Sequence, residues 1–164
     1  DLPVADGARE MPVTRCSLRG EPLQTCRTSD LVSTVRWVDV RIPASQPIYV
    51  ATRRSDLMTA GAPLFYVLSG RRNATRYDIA APGIVTSAKV QAEIIRDLKR
   101  SSAPVVRYSA GITAAPEPNL AGRSSGVRLL DAWLGANYVE AARFGVWTVL
   151  VPADPGSRRG AEAR

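Results

Sequence analysis

Histidine is absent from the 164 residues. That removes the side chain that most readily moves protons near neutral pH, and with it any Ser-His-Asp triad or Cys-His pair. Cys16 and Cys26 are the only thiols, too few ligands for a zinc site without histidine, so no metal is expected. Neither GxGxxG nor GxxxxGK[ST] occurs, which denies the close backbone approach a nucleotide pyrophosphate needs, and no cofactor is expected. No apolar run approaches the roughly 20 residues that cross a bilayer; VWTVLVP near the end is strand-sized. Lysine is nearly missing too, with Lys89 and Lys99 the only two among 22 basic residues. An arginine bias this strong reflects codon usage as readily as phosphate chemistry. The net charge of +7 still draws the chain toward anionic surfaces in a salt-sensitive way.

What is present describes an ordinary folded domain. A chain of this length buries roughly 70% of its unfolded surface, and 45% hydrophobic with 23% charged residues is a globular composition. Asp1 opens the chain without methionine or signal-peptide pattern, as expected for a piece of a longer product. Residues 1–28 scatter Pro3, Pro12, Pro22, Gly7 and Gly20 among mixed charges and predict an irregular arm. From Ser29, SDLVSTVRWVDVRIP places Leu31, Val35 and Val38 at helical spacing behind a Ser or Asp cap, although its β-branched residues also suit a strand.

IYVA predicts a short buried strand, left through RRSD. LFYVLS, with Pro63 in its first turn and Gly70 past its end, predicts a short helix, which puts GRRNATRYD on the following loop. TSAKVQAEIIRDLKRSS predicts a helix with a Thr or Ser cap, a core stripe of Val90, Ile94, Ile95 and Leu98, and basic residues in its last turn. PVVRY predicts a second strand and residues 109–124 a loop. VRLLDAWLGANY predicts a helix with Val127, Leu130, Trp133 and Leu134 on one side. YVEAARF and VWTVLV, joined at Gly145, predict a hairpin, and residues 153–164 a polar tail. The expected architecture over residues 29–152 is a single α/β domain, a small Rossmann-like layered sheet with helical crossovers and a C-terminal antiparallel hairpin.

Chemistry-bearing residues are few. Arg53, Arg54 and Ser55 follow the first strand, where ligands of open α/β sheets gather, and could hold a small anion or form a plain solvated turn. Asp56, Asp78, Glu93, Asp97, Asp131 and Glu140 form no recognisable acid-base pair. Glu93 and Asp97 share a helix face, where pairing with Arg96 and Arg100 is expected. The arginines follow no stripe and no aromatic-basic interleaving appears, which argues against specific nucleic-acid binding. Asn73-Ala74-Thr75 matches a glycosylation sequon that short triplets produce by chance. Arg71, Thr75, Arg76 and Tyr77 admit two roles: an arginine fork for phosphate or carboxylate, or an inward fold of Arg76 and Tyr77 in which the guanidinium caps helix carbonyls and the ring packs beside the sheet.

In order, IYVATRRSD, LFYVLSGRRNATRYD, APG, VQAEIIRDL, EPN, SSGVRLLDAWLGANY and FGVWTVL resemble the C-terminal soluble region of polytopic bacterial membrane proteins of the glycosyltransferase family 39 type. These are relatives of protein mannosyltransferases and of the aminoarabinose transferases of lipid A. The resemblance covers roughly residues 31–151, and Arg71, Thr75, Arg76 and Tyr77 match it. Ala51 and Gly61-Ala62 depart from it, standing where relatives tend to carry a glycine and an Asn-Asp pair. It implies a parent that moves a sugar from a polyprenyl-phosphate donor using a carboxylate in an earlier loop outside this chain. This segment would then be a non-catalytic domain on the extracytoplasmic face, partnered by the membrane-embedded region of the same chain and by an anionic lipid or glycan. In that oxidising setting Cys16 and Cys26 would form a disulfide closing a short loop, worth roughly 3 kcal/mol; otherwise they are free thiols. The alternative is an independent module binding an anion such as a sugar phosphate through Arg53, Arg54, Arg71 and Arg76.

Overall fold

The computed structural model describes residues 23–57, 61–78, 84–109 and 123–154, with side chains from residue 29 onward. Cys16, and the side chain of Cys26, lie outside the described residues, and so does the Cys16–Cys26 pairing. Four helices and four strands follow in the order α1 (Leu23–Arg41), β1 (Tyr49–Thr52), α2 (Leu64–Ser69), α3 (Ala88–Ser101), β2 (Val105–Tyr108), α4 (Leu129–Asn137), β3 (Tyr138–Phe144) and β4 (Trp147–Pro152). The first helix starts at Leu23, six residues before the Ser29 that the sequence suggests as its cap, because nothing between 23 and 28 breaks a helix.

The sheet order is β1-β2-β4-β3. β1 and β2 run parallel, Tyr49 opposite Val105 and Thr52 opposite Tyr108, whereas β4 is antiparallel to both β2 and β3. The fold is therefore α/β with a C-terminal hairpin, as the sequence predicts. α3 lies on the crossover between the paired parallel strands β1 and β2, and α4 on the crossover from β2 to β3, which runs the same way on the far side of β4. Gly145 lies in the two-residue hairpin turn with φ +52°, at the first central position, where glycine closes a right-twisted hairpin without strain. A Cβ there would also meet the Asp30 carboxylate at 1.9 Å, so the turn and α1 share that space.

Strand periodicity explains the two cores. Tyr49, Ala51 and Val105 turn to one face and pack under Ile94, Leu98, Leu130 and Leu134 of α3 and α4. Val50, Val106, Trp147 and Val149 turn to the other, under Val38 and Ile42 at the end of α1 and Phe65 of α2. Trp147 is the hub of that second core, its ring 5.2 Å from Phe65 and 4.5 Å from Tyr108. The molecule is thus three layers deep, two helices on each side of one sheet.

Two buried hydroxyls bind backbone at the rims. The Val50 amide donates to the Tyr66 hydroxyl at 2.8 Å, and Tyr138 donates to the Ala103 carbonyl at 2.9 Å. Burial pushes the Tyr138 hydroxyl up to about 12, and Tyr66 also rises. Both phenols stay protonated across the physiological range.

Candidate functional site

The carboxyl ends of β1 and β2 are where an α/β sheet of this type opens toward ligand. α3 and α4 both begin there, since each runs back antiparallel to β1 and β2. Ser87 caps α3, its hydroxyl accepting the Val90 amide at 3.3 Å. The segment 53–57, leaving β1, and the segment 123–128, entering α4, meet over this edge. The Ser125 amide donates to the Asp56 carbonyl at 2.8 Å, and Leu57 and Ser124 form an isolated antiparallel bridge.

Two carboxylates organise the edge. Asp56 is buried and receives Arg54 through two nitrogens, at 2.9 and 2.5 Å, together with the Ser124 hydroxyl. The Arg54 bond, helped by Ser124, outweighs burial and holds the Asp56 carboxyl down at about 2. Asp131, in the first turn of α4, accepts the Ser55 amide at 2.9 Å and the Ser55 hydroxyl at 3.1 Å, with Arg128 at 3.8 Å. Gln91 completes the set from inside: its amide donates to the Ser55 and Val127 carbonyls at 3.1 and 2.8 Å, and its oxygen accepts the Leu130 amide at 3.0 Å. The Ser125 hydroxyl ties the same segment to the Thr86 carbonyl at 2.8 Å. These bonds join β1, α3 and α4 at the edge, above the apolar core that the three elements share.

Arg107 differs from its neighbours. It stands on β2 opposite Ala51 and Thr148, on the α3/α4 side of the sheet. Its Nε is buried without a hydrogen-bond partner among the described residues, whereas buried guanidinium nitrogens are ordinarily satisfied.

The sequence-predicted residues divide between two places. Arg53 is exposed and Arg54 belongs to Asp56. Arg71, Thr75, Arg76 and Tyr77 lie away from this edge, on the stretch that covers the free side of β1. There the Ile48 amide donates to the Arg72 carbonyl at 3.0 Å and the Ala74 amide to the Ile48 carbonyl at 2.8 Å, which closes an otherwise open sheet edge. Arg71 is buried; its guanidinium donates to the carbonyls of Pro43, Ile42 (2.8 Å) and Val38 (3.5 Å), with Asp39 at 3.7 Å. It caps the C-terminus of α1, whose last carbonyls have no helical partner. Thr75 is buried in a turn knotted by Asn73, which accepts the Thr75 amide at 2.9 Å and donates to the Tyr77 carbonyl at 2.8 Å.

Tyr77 packs against the α3/α4 core and donates its hydroxyl to Glu93 at 2.5 Å, and exposed Arg76 reaches the same carboxylate at 2.6 Å. Tyr77 first, then Arg76, hold Glu93 below the usual carboxylate range. Glu93 therefore pairs across to this loop rather than along its own helix, while Asp97 pairs with Arg100 as expected. Arg76 does not fold inward to cap a helix: it is exposed and pairs with Glu93, and Arg71 makes the bonds to the carbonyls at the end of α1, while the Tyr77 ring packs against the α3/α4 core.

The sequence alone does not single out Gln91, Ser124 or Arg107. Gln91 carries a signal: with Ile94 and Leu98 it occupies the core spacing of α3, and an amide in a core stripe marks a buried polar network. Among the described residues no cluster of acidic or cysteine side chains is placed to hold a metal, and no helix is long and apolar enough to cross a membrane. Comparison with family models, with curated proteins and with solved structures gives no match for this chain.

Proposed function

We propose that this chain is a non-catalytic extracytoplasmic domain of a membrane glycosyltransferase-like protein, supporting the membrane-embedded catalytic region or contacting its acceptor or lipid headgroup. The ordered motif set from IYVATRRSD to FGVWTVL carries the proposal. The geometry supports it, because three of the motifs do structural work: RRSD ties β1 to α4, GRRNATRYD closes the sheet edge and caps α1, and SSGVRLLD fastens the entry to α4. The carboxylates at the sheet edge are likewise engaged by Arg54, Ser124 and Ser55. A general acid or base needs a carboxylate that is available to change its proton, and Asp56 is held far below that range.

Two measurements test the proposal. The gene is expected to encode several apolar spans ahead of Asp1, and the parent chain is expected to lose sugar transfer when residues 29–152 are deleted. Transfer activity in the isolated 164 residues, or a gene encoding no membrane spans, overturns it.

One observation favours a second reading, an anion-binding module: the unpartnered Nε of Arg107 at the ligand-bearing edge of the sheet. Arg53, Arg123 and Arg128 stand exposed at the same edge. Calorimetry with sugar phosphates distinguishes the two; stoichiometric binding lost in Arg107→Ala and retained in Arg76→Ala selects the module.

A further inference from the structure

The two outer faces of the molecule carry different residues. On α3 the outward positions are Lys89, Ala92, Arg96, Lys99 and Arg100, the usual polar face of a surface helix. The α1/α2 layer exposes aliphatic side chains among the charged ones of α1. Leu64, Val67 and Leu68 of α2 are 56%, 76% and 47% exposed, and Val40 and Val32 of α1 are 80% and 41% exposed. Spacings of three and four on α2, and of eight on α1, put each group on one side of its helix. α2 has no charged residue at all, so its outer surface is aliphatic from end to end. Exposed aliphatic side chains grouped on one side of a helix mark a candidate interaction site.

Charge complementarity identifies the partner. Arg36 lies between Val32 and Val40 on the same side of α1, Arg41 ends α1, and Arg72 follows α2, all three exposed. The exposed carboxylate on this outer face, Asp39, faces Arg71 at 3.7 Å. Aliphatic side chains interleaved with arginines suit a bilayer interface, where alkyl groups enter the headgroup region and guanidinium groups meet phosphate. A protein groove would more often be met by aromatic anchors, which this face lacks.

We infer that the α1/α2 face docks flat on an anionic lipid bilayer, with Leu64, Val67, Leu68 and Val40 in the interface and Arg36, Arg41 and Arg72 on lipid phosphates. The inference deepens the proposed function and takes its setting from it: if membrane spans precede α1, this layer is the first that the chain builds on leaving the bilayer. Docking in this orientation turns the β1/β2 edge sideways, open to an acceptor at the membrane surface.

Co-sedimentation of the 164-residue chain with phosphatidylcholine vesicles, with and without phosphatidylglycerol, is the test. Binding is expected only with phosphatidylglycerol and is expected to fall as salt rises. Val67→Glu and Leu64→Glu should each weaken it on the order of tenfold. Arg36→Ala, Arg41→Ala and Arg72→Ala should each weaken it about fivefold. Ile84→Glu, an exposed apolar site before α3, should leave it unchanged. Because these side chains are exposed, a circular-dichroism melt near wild type shows that each variant is folded.

Binding that ignores the Val67 and Leu64 substitutions overturns the inference, as does equal binding to uncharged vesicles. If the chain avoids both vesicles but associates with the detergent-solubilised membrane region of its parent, the inference falls and the proposed function stands. If vesicles bind but the gene encodes no spans, the proposed function falls and the docking face stands.

Discussion

Two segments of this chain begin with a pair of arginines, RRSD at 53–56 and RRNATRYD at 71–78, and in each pair the two arginines part ways. Arg54 turns in to Asp56 while Arg53 stays in water; Arg71 turns in to the end of α1 while Arg72 stays in water. What differs is the kind of partner. Arg54 meets a carboxylate two residues along its own loop, and Arg71 meets backbone carbonyls roughly 30 residues away in sequence, a distance set by the fold. Local sequence chooses the first pairing and tertiary structure the second. An arginine-rich loop is therefore a poor guide to an anion site until its internal acceptors are counted.

Removing Arg71 should break the comparison most severely. Arg71→Ala leaves the Ile42 carbonyl without its donor, takes the second donor from the Val38 and Pro43 carbonyls, which keep the Ile42 and Gln46 amides, and opens a void where a long side chain was buried, so a loss of about 3 kcal/mol is expected from urea melts. Arg71→Lys should recover only part of it, since an ammonium lacks the planar fork that spans several carbonyls.

Asp56 comes next. Asp56→Asn keeps the shape but removes the charge that holds Arg54, for an expected loss of about 2 kcal/mol. Its titration supplies a second check. The folded carboxyl sits at about 2, below its ordinary 3.8. A depressed value means that the bond stabilises the fold above the ordinary carboxylate range and that this stabilisation is lost as pH falls from about 4 through about 2. Asp56→Asn should flatten that part of the stability-pH curve, and wild type and variant should converge at the acid end.

Arg76 tests the middle of the comparison, an exposed arginine that does have a partner. Arg76→Ala should move the thermal midpoint by less than about 2 °C. Tyr77→Phe, which keeps the packed ring, should move it more, because it removes the half-buried hydroxyl that is the principal group holding Glu93 ionised.

Most elements were legible because each carries a local physical mark. Pro63 and Gly70 bracket α2, and Gly70 takes the left-handed φ of 60° that a helix end demands. Ser87 caps α3, and its expected stripe holds, with Ile94 and Leu98 fully buried and Val90 and Ile95 packed at the margin. Gly145 turns the hairpin. In α1 the expected Leu31 and Val35 are only half-buried, whereas Thr34 is fully so, because its hydroxyl returns to the Asp30 carbonyl at 2.7 Å and leaves a methyl for the core. Sheet order and the edge made by residues 72–74 depend on pairings between distant segments, which no local pattern encodes. The same holds for the candidate site: Asp131 reaching Ser55 spans 76 residues, and Arg107 stands out only once its surroundings are seen.

The smallest effect on stability is expected at the outward member of each pair, and it sharpens the comparison most. Arg53→Ala and Arg72→Ala remove side chains that stand in water, so both should leave the urea midpoint within about 0.5 kcal/mol of wild type. Yet only Arg72 follows α2 closely, two residues beyond its end at Gly70, whereas Arg53 follows β1 at its carboxyl end. Vesicle binding should therefore fall in Arg72→Ala and hold in Arg53→Ala. Stability alone makes the two arginines equivalent, and a difference in lipid binding would show that the outward arginine of the second pair is kept for a surface rather than for the fold.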